Sequence, residues 1–107
     1  MISMETLDFR FNSKPLPPAA TPALCGVVGS GNLEILVRPG ADPAICEVCI
    51  KTSARGFGTI WRAVIGDFAA GHLAGGTSIA INDMGATPAV VSLRLAQALA
   101  EYQGGVQ

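Results

Sequence analysis

The stretch that decides the fold is LCGVVGSGNLEILV, residues 24–37. It contains two runs typical of β-strands, 24–28 and 33–37, with a cluster of glycine, serine and asparagine between them. Such a cluster between β-branched runs predicts a hairpin, because glycine supplies the positive φ that tight primed turns demand. The cluster allows three two-residue loops, and any of them would place the apolar residues of the two strands on the same face of the hairpin. The sequence therefore predicts the hairpin and leaves its loop register open.

Further strands and two helices are predicted on either side of the hairpin. Residues 6–11 alternate polar and apolar side chains, which predicts a strand with one buried face, and residues 45–51 and 77–83 read as two more strands. One helix is predicted from an apolar stripe, and a second is predicted to begin at Thr87 as N-cap with Pro88 in the first position and to end at Gly104 and Gly105. The two stripes are Phe57, Ile60, Trp61, Val64, Ile65 and Phe68, and Val91, Leu95, Ala98, Leu99 and Tyr102.

The predicted order of elements is β-β-β-β-α-β-α, which favours a two-layer α+β sandwich. In this architecture a mostly antiparallel sheet carries two helices on one face. A chain of 107 residues fits one small domain, so residues 1–107 are expected to form a single unit. Residues 13–22 contain four prolines and are predicted to be an extended connector on the surface. Strand order is not predicted.

Composition excludes several classes of protein. Half of the residues are apolar and 14% are charged, which argues against disorder. The net charge is −1 and the few positive charges are scattered, so no nucleic-acid partner is expected. No apolar run approaches the ~18 residues that span a bilayer, and the start resembles no signal peptide. We expect a cytoplasmic protein with no membrane partner.

Three cysteines, Cys25, Cys46 and Cys49, are expected to be reduced thiols. The spacing of Cys46 and Cys49 matches a CxxC pair, which could indicate a metal or redox site. The pair lies within a predicted strand, however, where residues three apart point to opposite faces and cannot chelate one ion. We therefore expect no metal site.

Ser30 is the candidate functional residue, since it lies in the hairpin turn with the small neighbours Gly29 and Gly31. A bulky group could approach it unobstructed, although the three residues could equally do no more than form a turn. A serine nucleophile needs a base, and His72 is the sole histidine. The nucleophile elbow also requires glycine two residues to each side and a helix after the serine. Neither condition is met, so a hydrolase is not expected.

A second distinctive stretch is DMGATP, residues 83–88. It reads as a strand exit, a glycine bend and a capped helix start. The alternative is that Asp83 and the free N–H groups of the helix start receive a partner or a phosphorylated group.

Three stretches together resemble one family. They are METL at 4–7, GVVGSGNLE at 26–34 and DMGATPAVVSLRL at 83–95. The chain is similar over nearly its whole length to the acyl carrier protein (delta subunit) family of malonate decarboxylase.

This resemblance implies that Ser30, between Gly29 and Gly31, is joined by a phosphodiester to 2′-(5′′-phosphoribosyl)-3′-dephospho-CoA, which would make the chain a phosphoprotein. The thiol of this group would carry acetyl, which a transferase (alpha) subunit exchanges for malonyl before the decarboxylase (beta and gamma) subunits release CO2. A prosthetic-group transferase would attach the group, and the carrier itself would be non-catalytic. Two alternatives remain: a subunit that only helps to assemble a complex, and the related carrier subunit of citrate lyase.

Overall fold

A computed structural model describes residues 4–16 and 26–104. It contains five strands and two helices in the predicted order. The elements are β1 (Glu5–Asn12), β2 (Gly26–Ser30), β3 (Leu33–Pro39), β4 (Ile45–Thr52), α1 (Gly58–Gly71), β5 (Thr77–Asp83) and α2 (Pro88–Tyr102).

The strands form one sheet in the order β1-β4-β5-β3-β2. The pairs β1–β4, β3–β5 and β2–β3 are antiparallel, whereas β4 and β5 are parallel. A parallel pair needs a connection that returns the chain to the same end of the sheet, and α1 forms this connection. The α+β architecture with a mostly antiparallel sheet, predicted from the sequence, is confirmed.

The core lies on the face of the sheet that both helices cover. Alternate residues of each strand point to this face, as the period of two requires. The strand side chains of the core include Phe9, Ile35, Val37, Val48, Ile79 and Ile81, all buried. They pack with Ile65 and Phe68 of α1 and with Leu95 and Leu99 of α2, in one cluster.

Helix α1 differs from its predicted stripe at its beginning. Trp61, Ile65 and Phe68 are buried, but Phe57 and Ile60 remain 47% and 46% exposed. Helical spacing places these residues on one stripe, yet Phe57 and Ile60 line an open cleft instead of packing into the core. Neither α1 nor α2 is long and apolar enough to cross a membrane, among the residues described here.

Helix α2 begins as predicted. The Thr87 side-chain oxygen accepts a hydrogen bond of 3.3 Å from the backbone N–H of Val90, and Pro88 occupies the first turn. This cap supplies an acceptor for one of the N–H groups that a helix start leaves without a partner. The predicted buried stripe is confirmed, with Tyr102 partly exposed. After Tyr102 the chain turns at Gly104, whose φ is +91°, and Gly105 lies outside the described residues.

The proline connector enters the domain rather than lying wholly on its surface. Ser13 is only 9% exposed, and its hydroxyl donates to the carbonyl oxygens of Ala69 and His72 while accepting from the N–H of Ala74. Pro15 then pairs with Gly75. The prediction of a surface connector is therefore wrong for Ser13, whereas Lys14 and Pro15 are exposed, and residues 17–22 lie outside the described part.

Gly75 provides a test of this packing. A Cβ at Gly75 would collide with the backbone carbonyl oxygens of Pro43 and Ser13, whereas one at Gly71 would meet nothing within 4 Å. We predict that Gly75→Ala lowers the free energy of unfolding by about 1–3 kcal/mol or more, because the clashing atoms belong to the backbone and cannot move aside easily. Gly71→Ala, the matched control at the end of α1, should keep or raise it. Urea denaturation measures both, and equal stability of the two variants would contradict the packing.

Candidate functional site

The turn that follows Ser30 has one defined register. Ser30 is the last residue of β2 and pairs with Leu33, the first residue of β3, so Gly31 and Asn32 form a two-residue loop. Of the three loops that the sequence allowed, the structure adopts the last one. Because β2 is an edge strand, Ser30 lies at a corner of the sheet.

The glycines beside Ser30 do not serve the backbone conformation that we predicted. Positive φ angles occur at Gly56, Gly76, Gly85 and Gly104 among the described residues, but not at Gly29 or Gly31. The prediction that a glycine of this cluster supplies positive φ is therefore wrong for both. A Cβ at either position would also meet nothing within 4 Å.

These two glycines leave the turn open, because they have no side chains. Both Gly29 and Gly31 are exposed. The side chain of Ser30 lies outside the described residues, so its predicted exposure stays a prediction. Neither conformation nor space within the described chain requires glycine at these two positions.

The second distinctive stretch lies directly beside this turn. Strand β3 pairs with β5 so that Leu33 faces Asp83, and the backbone N–H of Met84 donates a 2.8 Å hydrogen bond to the carbonyl oxygen of Asn32. Residues about fifty positions apart in the chain thus meet at one end of the sheet. The sequence identified both stretches but could not place them together.

Asp83 has a structural role in this arrangement. The residue is 2% exposed, and one carboxyl oxygen accepts a 2.8 Å hydrogen bond from the hydroxyl of Thr52. The other oxygen accepts from the backbone N–H groups of Gly85 and Ala86. Since both oxygens already have donors, the structure supports the reading of this stretch as a strand exit. It gives no support to Asp83 as an acceptor for a partner.

The same end of the domain contains an apolar cleft that sequence analysis missed. The cleft measures about 260 Å³ and lies between the first turns of α1 and the start of α2. Its lining includes Phe57, Ile60, Trp61, Val64, Ala86 and Val91. Phe57 and Ile60 belong to the apolar stripe predicted for α1, and helical periodicity alone assigned them to the core rather than to a cleft.

His72 lies at the other end of the sheet and cannot serve Ser30 as a base. His72 comes just before the start of β5 at Thr77. Ser30 is aligned, through the strand pairing, with Asp83 at the end of β5. Seven strand residues at about 3.3 Å each separate these ends by roughly 20 Å. The His72 ring stacks on Phe68, with 4.8 Å between ring centroids.

The cysteines of β4 point to opposite faces, as predicted. Cys46 is buried in the core, and Cys49 lies on the other face in register with Asp8 and Ala80. Burial raises the pKa of the Cys46 thiol, and burial together with the neighbouring Asp8 raises the pKa of Cys49. At neutral pH both thiols are therefore less ionised than an ordinary cysteine. Cys25 lies outside the described residues.

Comparison with known proteins gives consistent matches. The family model described as the malonate decarboxylase delta subunit (MdcD) matches residues 20–102. A malonate decarboxylase acyl carrier protein from Burkholderia cepacia is 56% identical over 98 residues, covering 92% of this chain and 90% of the relative. Another of the same name from Acinetobacter calcoaceticus is 48% identical over 101 residues, covering 94% and 99%.

A solved structure supports the same assignment. A chain in the crystal structure of a Pseudomonas malonate decarboxylase hetero-tetramer in complex with malonate superposes with a TM-score of 0.73 and 39% sequence identity. The alignment covers 92% of this chain and 98% of that chain. Because the family model matches residues 20–102 and the two relatives are 48% and 56% identical over nearly the whole chain, the chain belongs to the acyl carrier protein (delta subunit) family of malonate decarboxylase.

Proposed function

We propose that this chain carries acetyl and malonyl groups for a malonate decarboxylase as thioesters on 2′-(5′′-phosphoribosyl)-3′-dephospho-CoA attached to Ser30. Attachment forms a bond between Ser30 Oγ and phosphorus, releases the hydroxyl proton and expels the leaving group of an activated phosphate donor. A prosthetic-group transferase supplies that donor. The bound group contributes a terminal thiol on a long flexible arm.

The observation that carries this proposal is the pair of glycines beside Ser30. Gly29 and Gly31 have no positive φ, and among the described residues neither has a neighbour that a methyl group would touch. Glycine at such positions loses more conformational entropy on folding than alanine would, and no backbone conformation or close contact within the described chain offsets this loss. A requirement from outside the chain accounts for it: a second protein must bring a phosphate group close to the serine between them.

The fold suits this role because it holds the attachment point firmly. Ser30 is anchored through Leu33 to Asp83, and the turn is bonded to Met84. A fixed anchor with a flexible arm keeps the carried group at high effective concentration near several sites within the reach of the arm. The chain itself positions the arm and takes no part in bond breaking.

The expected partners are the transferase (alpha) and decarboxylase (beta and gamma) subunits. Support comes from the similar Pseudomonas chain, which belongs to a hetero-tetramer. Reconstitution with the remaining subunits should give CO2 from malonate and no cleavage of citrate. Citrate cleavage instead would indicate the carrier of a citrate lyase.

Ser30→Ala tests the attachment site. Co-expressed with its prosthetic-group transferase, the chain should show a covalent adduct by intact-mass measurement, and the Ser30→Ala variant should show none. Decarboxylation by the reconstituted complex should be lost, while the free energy of unfolding stays within about 0.5 kcal/mol, as for most surface substitutions.

Ser92→Ala is the matched control, since Ser92 is exposed on α2. It should keep both the adduct and the activity. An active complex whose carrier has an unmodified mass would contradict the proposal and favour a subunit that only assists assembly.

Gly31→Ala tests the reason for glycine beside the serine. Its φ is not positive and its surroundings are open, so the free energy of unfolding should be unchanged or higher by about 0.4–1 kcal/mol. Loading by the prosthetic-group transferase should slow roughly tenfold, the equivalent of about 1.4 kcal/mol in the barrier. A time course of the mass adduct measures this rate. Loading at the rate of the unsubstituted chain would show that access to Ser30 does not depend on Gly31.

A further inference from the structure

The apolar cleft between α1 and α2 has the chemistry of a binding site for a small neutral group. Its floor includes Trp61, which is 7% exposed, and Phe57 and Ile60 stand half-exposed on its lining. At about 260 Å³ it has room for roughly eight or nine groups of the size of a water molecule, at about 30 Å³ each. This is enough for an acetyl group with the sulfur and methylenes next to it.

Polarity restricts what the cleft can hold. Asp83 is the acidic residue of the lining, and both of its carboxyl oxygens already accept hydrogen bonds. Within the described part of the chain, the lining includes no lysine or arginine. A charged group would lose hydration there without gaining a partner, which is costly, whereas an apolar group gains by leaving water.

The cleft lies within easy reach of Ser30. Ser30 pairs with Leu33, and Leu33 pairs with Asp83, which lines the cleft. Two strand spacings of about 4.8 Å separate Ser30 from Asp83, or roughly 10 Å. A group tethered at Ser30 on a flexible arm therefore stays near the cleft.

We infer that this cleft is the resting site of the neutral, acetylated end of the prosthetic arm. The inference rests on the proposed attachment at Ser30. Tethering gives an effective concentration of about millimolar, so an affinity of the same order suffices for frequent occupancy. The arm must also leave for the catalytic subunits, and weak binding permits this.

The same chemistry distinguishes the two forms of the carrier. An acetyl thioester is neutral and fits the apolar lining. A malonyl thioester ends in a carboxylate, which would enter a cleft whose described lining has no cationic side chain and includes the carboxyl group of Asp83. The acetyl form is retained by the carrier, and the malonyl form is free to move to the decarboxylase.

Free thioesters test the cleft directly. S-acetylpantetheine titrated into the full-length chain should shift the fluorescence of Trp61, the sole tryptophan, and the methyl resonances of Ile60 and Val64, with saturation at millimolar concentrations. S-malonylpantetheine should cause no saturable shift. Ile60→Asp should abolish the response to the acetyl probe because it adds a carboxylate to the lining. The matched control is Leu93→Asp, since Leu93 is 53% exposed on α2 outside the cleft, and it should respond as the unsubstituted chain does.

The loaded carrier provides a second measurement. Hydroxylamine should cleave the acetyl thioester several-fold more slowly on the loaded chain than on the free acetylated cofactor, and Ile60→Asp should remove this protection. Absence of probe shifts together with equal cleavage rates would overturn the inference while leaving a Ser30 adduct intact. Shifts of Trp61 and Ile60 that appear only on adding the other subunits would also overturn it, in favour of a protein docking site. Probe binding by a chain that never acquires an adduct at Ser30 would instead refute the proposed attachment and leave the cleft as a binding site.

Discussion

The buried carboxyl group of Asp83 organises the end of the domain where Ser30 lies. One oxygen accepts from Thr52 at the end of β4, and the other accepts from the backbone of the loop that leads into α2. A buried acceptor that loses its donors costs about 1–3 kcal/mol, so the loop is held to one course. That course presents the N–H of Met84 to Asn32 in the hairpin turn. The end of β4, the end of β5, the start of α2 and the turn after Ser30 are thus held in one arrangement.

The glycines at the two ends of the sheet have different surroundings. At the end where β5 begins, Gly75 passes so close to the backbone of Pro43 and Ser13 that no side chain fits. At the other end, no described atom would contact a Cβ at Gly29 or Gly31, and neither residue has a positive φ. The first end is closely packed, and at the second end no described residue crowds the glycines on either side of Ser30. The proposed attachment at Ser30 depends on such open surroundings, because another protein would have to bring the prosthetic group to it.

Local features of the fold were predictable because neighbouring residues determine them. Alternation along β4 placed Cys46 and Cys49 on opposite faces, and the Thr87–Pro88 pair marked the start of α2. The same reasoning failed where a local pattern allows several tertiary outcomes. Glycine in a turn suggested positive φ, yet Gly31 does not adopt it. The helical period placed Ile60 with the core, yet its side chain lines an open cleft between α1 and the start of α2 and stays half-exposed.

The sequence by itself determined the elements, their order, the family and Ser30 as the candidate residue, since each depends on short motifs or on periodicity within a few residues. Tertiary structure alone decided the strand order, the loop register and the apolar cleft. These depend on contacts between residues distant in the chain, such as Thr52 with Asp83 and Asn32 with Met84. Many pairings satisfy the same alternation of apolar residues, and only the packing of the whole sheet against two helices selects one of them.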